Sequence, residues 1–143
     1  FSYSKGNEAY NAVRRTLESV SSFSNQSVAV TNRWNVEGQV TNIPRASYGD
    51  AIGNNNFSSR WIEDASFLRM KSITLSYNFD KPVWNFFRSG TIYVTGENLL
   101  TATKYLGMDP EFAYSSGSNA TQGFDYAKVM QPKSVKLGIN LKF

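Results

Sequence analysis

The chain has 143 residues, a formal net charge of +4, and neither cysteine nor histidine. Without those two residue types, disulfide frameworks, zinc and haem sites, Ser-His triads and Cys-His nucleophiles lose their usual parts, so no enzyme, metal or cofactor is expected. Apart from Arg14-Arg15 the basic residues are scattered singly, and no stripe suited to nucleic acid results.

No run approaches the roughly 20 apolar residues of a membrane helix, whereas alternating segments of about ten residues suit membrane strands. Phe1-Ser-Tyr-Ser-Lys5 alternates aromatic and polar residues, as the end of a strand would; starting at Phe1 without a targeting segment, it suggests a cut or processed start. Gly6 and Asn7 then break the alternation. Ala9, Tyr10, Val13, Leu17 and Val20 recur at helical spacing, which predicts a short amphipathic helix over 8–20 with Asn7 as its N-cap.

Residues 21–66 are rich in Asn, Ser and Gly and read as loop. Connections beyond about 15 residues are unusual in compact domains. The aromatics Phe23, Trp34, Tyr48, Phe57 and Trp61 point to an ordered loop rather than a linker. In 67–79 the alternation of Ile73, Leu75, Tyr77 and Phe79 with Ser72, Thr74, Ser76 and Asn78 predicts a strand with one apolar face. Asp80-Lys-Pro82 ends it, and Trp84, Phe86 and Phe87 follow in a short connector, like an interfacial girdle. A second strand over 91–103 is disturbed at Gly96-Glu-Asn98, where a bulge would reset the register. Residues 105–131 are again loop. A last strand over 134–143 sets Val135, Leu137, Ile139, Leu141 and Phe143 opposite Ser134, Lys136, Gly138, Asn140 and Lys142. Such a strand has one face for lipid and one for water.

Barrels of this kind have short periplasmic turns and long outer loops. The connector 80–90 is therefore expected in the periplasm, both long loops outside, and Phe143 back at the periplasmic edge. The reading is an all-β membrane protein, antiparallel strands of a barrel with one short helix in a loop.

Particular stretches carry a family resemblance over nearly the whole chain. They include Asn32-Arg-Trp34, Glu37-Gly38, Ile43-Pro-Arg-Ala46, Phe57-Ser-Ser-Arg-Trp-Ile-Glu-Asp64, Phe67-Leu-Arg-Met-Lys71, Leu75-Ser-Tyr77, Tyr93-Val-Thr-Gly-Glu-Asn-Leu99, Thr103-Lys-Tyr105, Asp109-Pro-Glu111 and Gln131-Pro132. In that order the chain resembles the C-terminal end of SusC/RagA-type, TonB-linked outer-membrane transporters. The resemblance implies a barrel of about 22 strands around a plug, energy from TonB through an N-terminal region outside these residues, a SusD-like surface lipoprotein as partner, and oligosaccharide or peptide cargo.

Trp34, Tyr48, Trp61 and Tyr105 are candidates for stacking on cargo or partner, against the plainer reading that they pack the loops together. Val135, Leu137, Ile139, Leu141 and Phe143 resemble the signal read by the barrel-assembly machinery. Arg45, Arg60, Glu63 and Asp64 read as loop salt bridges and turn contacts. The pairs Glu63-Asp64 and Asp109/Glu111 invite a glycosidase reading that adjacency alone does not support, and Asp109 with Glu111 a calcium site as a minor reading. Lys136 and Lys142 would sit on the lumen wall. The alternative from another class is a soluble β-rich carbohydrate-binding module, and a passive porin is a third.

Overall fold

The computed structural model describes residues 1–21, 23–80, 88–112 and 122–143. In chain order its regular elements are β1 (Ser2–Ser4), β2 (Glu8–Asn11), α1 (Ala12–Leu17), β3 (Ile62–Asp64), β4 (Phe67–Phe79), β5 (Ser89–Thr103), β6 (Phe124–Asp125) and β7 (Ser134–Lys142). They fall into a sheet unit, Phe1–Lys5, Ser66–Lys104 and Met130–Phe143, and a loop unit, Gly6–Ala65 and Tyr105–Val129. The aromatics Trp84, Phe86 and Phe87 lie outside the described residues. Among the described residues no helix is long and apolar enough to cross a membrane.

The sheet unit is antiparallel, in the order β1-β4-β5-β7. Strand β4 has the bounds the alternation predicts, β5 begins two residues earlier than expected, and β7 stops one residue short of Phe143. The expected bulge is present: Met70 pairs with Leu100 but Ser72 with Glu97, so β5 carries an extra residue there, and Asn98 takes a positive φ of 52°. The side chain of Leu99 then folds over Gly96, where a Cβ would stand 2.6 Å from Leu Cδ1.

Below the bulge the register aligns three apolar rows on one face. Ile73, Leu75 and Tyr77 lie opposite Gly96, Val94 and Ile92, which in turn face Val135, Leu137 and Ile139. Leu75 is 74% and Leu137 76% exposed. From 73 to 79 this band is about 20 Å tall at roughly 3.3 Å per residue, close to the apolar belt of an outer-membrane barrel. Lys71 caps it in β4, and Arg69, buried above that, donates to Thr101 Oγ1 at 3.1 Å.

The opposite face is hydrogen-bonded across the strands. Thr74 and Thr95 hydroxyls lie 2.9 Å apart, Thr91 donates to Asn78 at 2.7 Å, and Glu97 accepts from Ser134 at 3.0 Å and from Lys136 at 2.7 Å. The ring of Tyr93 occupies the space over Gly138, its partner in the register, and a Cβ at 138 would meet that ring. Here the glycine is required by close approach rather than by its φ.

The loop unit departs from the sequence reading at its start. Glu8–Asn11 is a strand, not the first turn of a helix: β2 pairs antiparallel with β3 and parallel with β6. Helix α1 therefore runs only over Ala12–Leu17, and its cap is Asn11, whose Oδ1 accepts from Arg14 N at 2.8 Å, not Asn7. Long-range pairing overrides a local period that fits one face of a helix. Residues 21–66 are also more ordered than a plain loop, with 3-10 turns at Val28–Asn32, Tyr48–Asp50 and Ser59–Trp61 before β3.

Among the described residues three small cores hold this unit: Ala9, Ala65 and Tyr105; Tyr10, Ala12 and Trp61; and Val20, Val30 and Ile43. The Tyr10 ring stacks on Phe57 at 4.4 Å and meets Phe124 at 4.8 Å.

Replacing Gly138 by Val should reduce the fraction of full-length protein that migrates as a folded, heat-modifiable barrel on a gel, because the new side chain meets the Tyr93 ring. Adding Tyr93→Ala should restore much of that fraction. A Gly138→Val protein that folds like the parent would show that the Tyr93 ring yields freely.

Candidate functional site

The loop unit is built around a polar cluster that encloses Trp61. Arg14 Nε donates to Glu18 Oε1 at 2.6 Å and Nη1 to Glu63 Oε1 at 2.9 Å. Arg60 reaches Glu18 Oε2 at 3.3 Å and the carbonyl of Asn42. Both guanidinium groups lie against the indole, with centroid distances of 5.8 and 5.0 Å. The indole N–H donates to the Asn56 carbonyl at 3.2 Å, and Trp61 is only 2% exposed. Burial by itself would lower the pKa of Arg14, yet the hydrogen bonds and charges of Glu18 and Glu63 outweigh it and raise the value. Glu63 also accepts the Leu106 N–H at 3.0 Å, tying the two segments of the unit together.

Tyr105 is likewise interior. Its ring stacks on Phe112 at 5.7 Å, and its hydroxyl donates to the buried Asp125 carboxylate at 2.6 Å. Burial first, then the bond to Asp125, pushes this hydroxyl far above its ordinary pKa. The other Asp125 oxygen accepts Lys128 N at 3.1 Å.

The four aromatic candidates therefore separate. Trp61 and Tyr105 are core residues and do not reach the surface, because the loop needs apolar mass of its own to order its backbone. Trp34 is partly buried, and its backbone N–H donates to the Ile43 carbonyl at 3.0 Å. Tyr48 is open to solvent, 80% exposed, and its ring lies 5.4 Å from that of Phe23, itself 96% exposed. Sequence reasoning counted Phe23 only as loop filling; no local pattern marks it, since the partner ring comes from 25 residues further along the chain.

Arg60 and Glu63 act as salt-bridge residues, as the sequence suggested, whereas Arg45 is exposed. Asp109 Oδ1 accepts Glu111 N at 2.9 Å and so closes a turn. Among the described residues no group of three or more acidic side chains is placed to hold a metal ion. Val135, Leu137, Ile139 and Leu141 share the apolar face of β7, and Phe143 lies exposed just beyond the strand.

No family model matches the chain. Over its whole length it is 32% identical to each of two TonB-dependent receptors of Formosa agariphila, covering 15% and 14% of them. Over 90 residues, 60% of this chain and 8% of the relative, it is 36% identical to the TonB-dependent receptor SusC of Bacteroides thetaiotaomicron. Solved structures of the RagAB peptide importer in its closed-closed and open-open states match 99% of this chain and 15% of theirs, at 27% identity and TM-scores of 0.78 and 0.79.

The chain belongs to the SusC/RagA-type TonB-dependent receptors. It spans about 15% of the length of the relatives it matches along its whole extent. Its antiparallel sheet is a piece of the transporter barrel of this family, whose place is the outer membrane. Of the two carboxylate pairs, Glu63 holds Arg14 and Asp109 closes a turn.

Arg14→Ala would strand the nearly buried Glu18 and Glu63 carboxylates and destabilise the loop unit by about 2–3 kcal/mol, the lower side for a broken ion pair because Arg14 keeps some contact with water. Limited proteolysis of the full-length protein should cut this SusC/RagA-type chain faster within 6–65, with the barrel still heat-modifiable. Tyr105 gives a second expectation. Because its folded-state pKa is raised above 10.0, its stabilising contribution is complete below that pH and declines as pH rises above it. Cleavage of the loop unit by proteinase K should accelerate above pH 10 in the parent and less steeply in Tyr105→Phe.

Proposed function

We propose that these residues form the C-terminal part of the wall of a TonB-dependent importer with about 22 strands. In this reading the band from Ile73 to Phe79, with Val94, Ile92, Leu137 and Ile139 beside it, meets lipid, and the hydroxyl-rich face with Glu97 and Lys136 lines the lumen. The loop unit lies on the extracellular side, where it meets a SusD-like lipoprotein and oligosaccharide or peptide cargo. TonB drives opening through an N-terminal region that these residues do not include, and the row Val135, Leu137, Ile139, Leu141 and Phe143 is offered to the barrel-assembly machinery.

The observation that supports this most is the in-register apolar band on three neighbouring strands, backed by a face of small hydroxyl and amide groups. A soluble module would bury such a row, since exposed apolar strands invite aggregation. The relatives point the same way: RagAB is named as a peptide importer, and SusC as a TonB-dependent receptor.

Cells expressing the full-length protein with its neighbouring surface lipoprotein should take up oligosaccharides or peptides only while TonB and the proton gradient are intact. Replacing residues 23–60 with a short flexible linker should abolish uptake and lipoprotein co-purification while leaving a heat-modifiable barrel. Uptake that persists without TonB would point to a passive pore and overturn the reading. Within the wall, Ile139→Lys should cost about 2–4 kcal/mol of barrel stability in bilayers; an unchanged stability would place Ile139 away from lipid.

A further inference from the structure

The exposed ring pair of the loop unit lies beside a junction of two chain segments bonded through their backbones. Ser47 N donates to the Val20 carbonyl and Gly49 N to the Ser21 carbonyl, both at 3.1 Å, so the segments bearing Phe23 and Tyr48 are stitched together by backbone. Gly49 allows this turn through its positive φ of 74°. The two rings then lie side by side, 5.4 Å apart and inclined by 32°, above a cavity of about 300 Å³. Val20, which belongs to the core with Val30 and Ile43, lines it together with Ser47 and Arg33.

Arg33 brings a positive charge to the cavity. Arg14 and Arg60 are consumed by carboxylates inside the unit. Arg33 is a half-buried residue that lines this cavity, and its guanidinium has no ionic or hydrogen-bonding partner among the described residues, while its backbone carbonyl is held by Asn35 and Gln39 side chains at 2.9 and 3.1 Å. An arginine beside the cavity whose fork of donors is not used within the unit can meet a ligand there.

We propose that Phe23, Tyr48 and Arg33 form a subsite for an acidic saccharide ring, one bearing a carboxylate or sulfate. The proposal rests on the import reading and narrows its cargo. The apolar C–H face of a sugar ring covers the aromatic pair, the acid group takes the guanidinium in a two-point, charge-assisted contact, and Ser47 is within the same cavity for a ring hydroxyl. A volume of about 300 Å³ is at the small end for ligand pockets and suits one ring rather than a whole chain. A peptide fits less well: peptide recognition draws on a free sheet edge, an apolar groove or a nest of amides, and the amides of Ser47 and Gly49, on either side of Tyr48, are already bonded.

The test uses the full-length transporter, purified with and without its lipoprotein, and isothermal titration with oligogalacturonate, alginate and chondroitin sulfate fragments, with maltohexaose and a mixed peptide pool as controls. At least one acidic oligosaccharide should bind. Losing the charged contact in Arg33→Gln, or the platform in Phe23→Ala, should weaken it roughly tenfold or more, and barrel migration should stay normal. Three outcomes overturn the proposal: no acidic oligosaccharide binds, both variants bind as well as the parent, or Phe23→Ala removes lipoprotein co-purification and leaves saccharide binding intact. Uptake is read separately. TonB-dependent import that both variants preserve, with binding also unchanged, would leave the importer standing and remove the subsite; absence of any TonB-dependent import would refute the importer itself.

Discussion

Pairing of the β5 backbone on both sides is the constraint on which the rest of the sheet unit depends. It bonds to β4 from Gly90 to Thr103 and to β7 from Ser89 to Glu97. In hydrocarbon there is no water to take up an orphaned N–H or carbonyl, so each unpaired group costs several kcal/mol. Side chains alternate with a period of two, and a slip of one residue would turn Leu137 and Ile139 to the polar side while presenting Lys136 to the apolar one. The register is held by more than the ladder. Tyr93 over Gly138 and the Glu97 contacts to Ser134 and Lys136 are specific to one alignment, and the extra residue at Asn98 lies above the apolar band, where it leaves the band's alternation intact.

Long loops carry an ordering cost of about 1–2 kcal/mol per fixed residue, and this one offsets it with an interior. Its pieces, among the described residues, are small: three cores, a ring stack centred on Tyr10, and a partly buried network joining Arg14, Glu18, Arg60 and Glu63 around Trp61. Such a network is stabilising only when every member is satisfied. Glu63 shows this most directly, accepting from Arg14, from Asn11 and from the Leu106 backbone. The result is a folded unit rather than a set of free loops, which allows a surface feature such as the Phe23–Tyr48 pair to keep its geometry.

The two units therefore divide the labour. Strand chemistry in the sheet unit is repetitive and suits a wall: apolar rows on one face, small hydroxyls on the other. The loop unit holds the irregular contacts, and in the proposed subsite Arg33 is the charged group that a ligand would meet. Preorganisation by backbone bonds at Ser47 and Gly49 lowers the ordering cost that a ligand would otherwise meet.

The strands were legible in the sequence because period-two alternation is a local property: the bounds of β4 and the bulge beside Gly96 follow from consecutive residues alone. Family membership was legible too, through the order of short motifs. The loop unit was not. Residues 8–11 carry a spacing that a helix could use, and only the presence of β3 and β6, from segments about 50 and 110 residues away, makes them a strand. The aromatic candidates show the same limit. Composition places Trp34, Tyr48, Trp61 and Tyr105 in long loops, but which ring is enclosed by arginines and which meets solvent depends on contacts between distant segments. Trp61 and Tyr105 went inside and Tyr48 stayed out, beside Phe23, because burial is decided by what the fold brings to each side chain, and a sequence window contains no record of that.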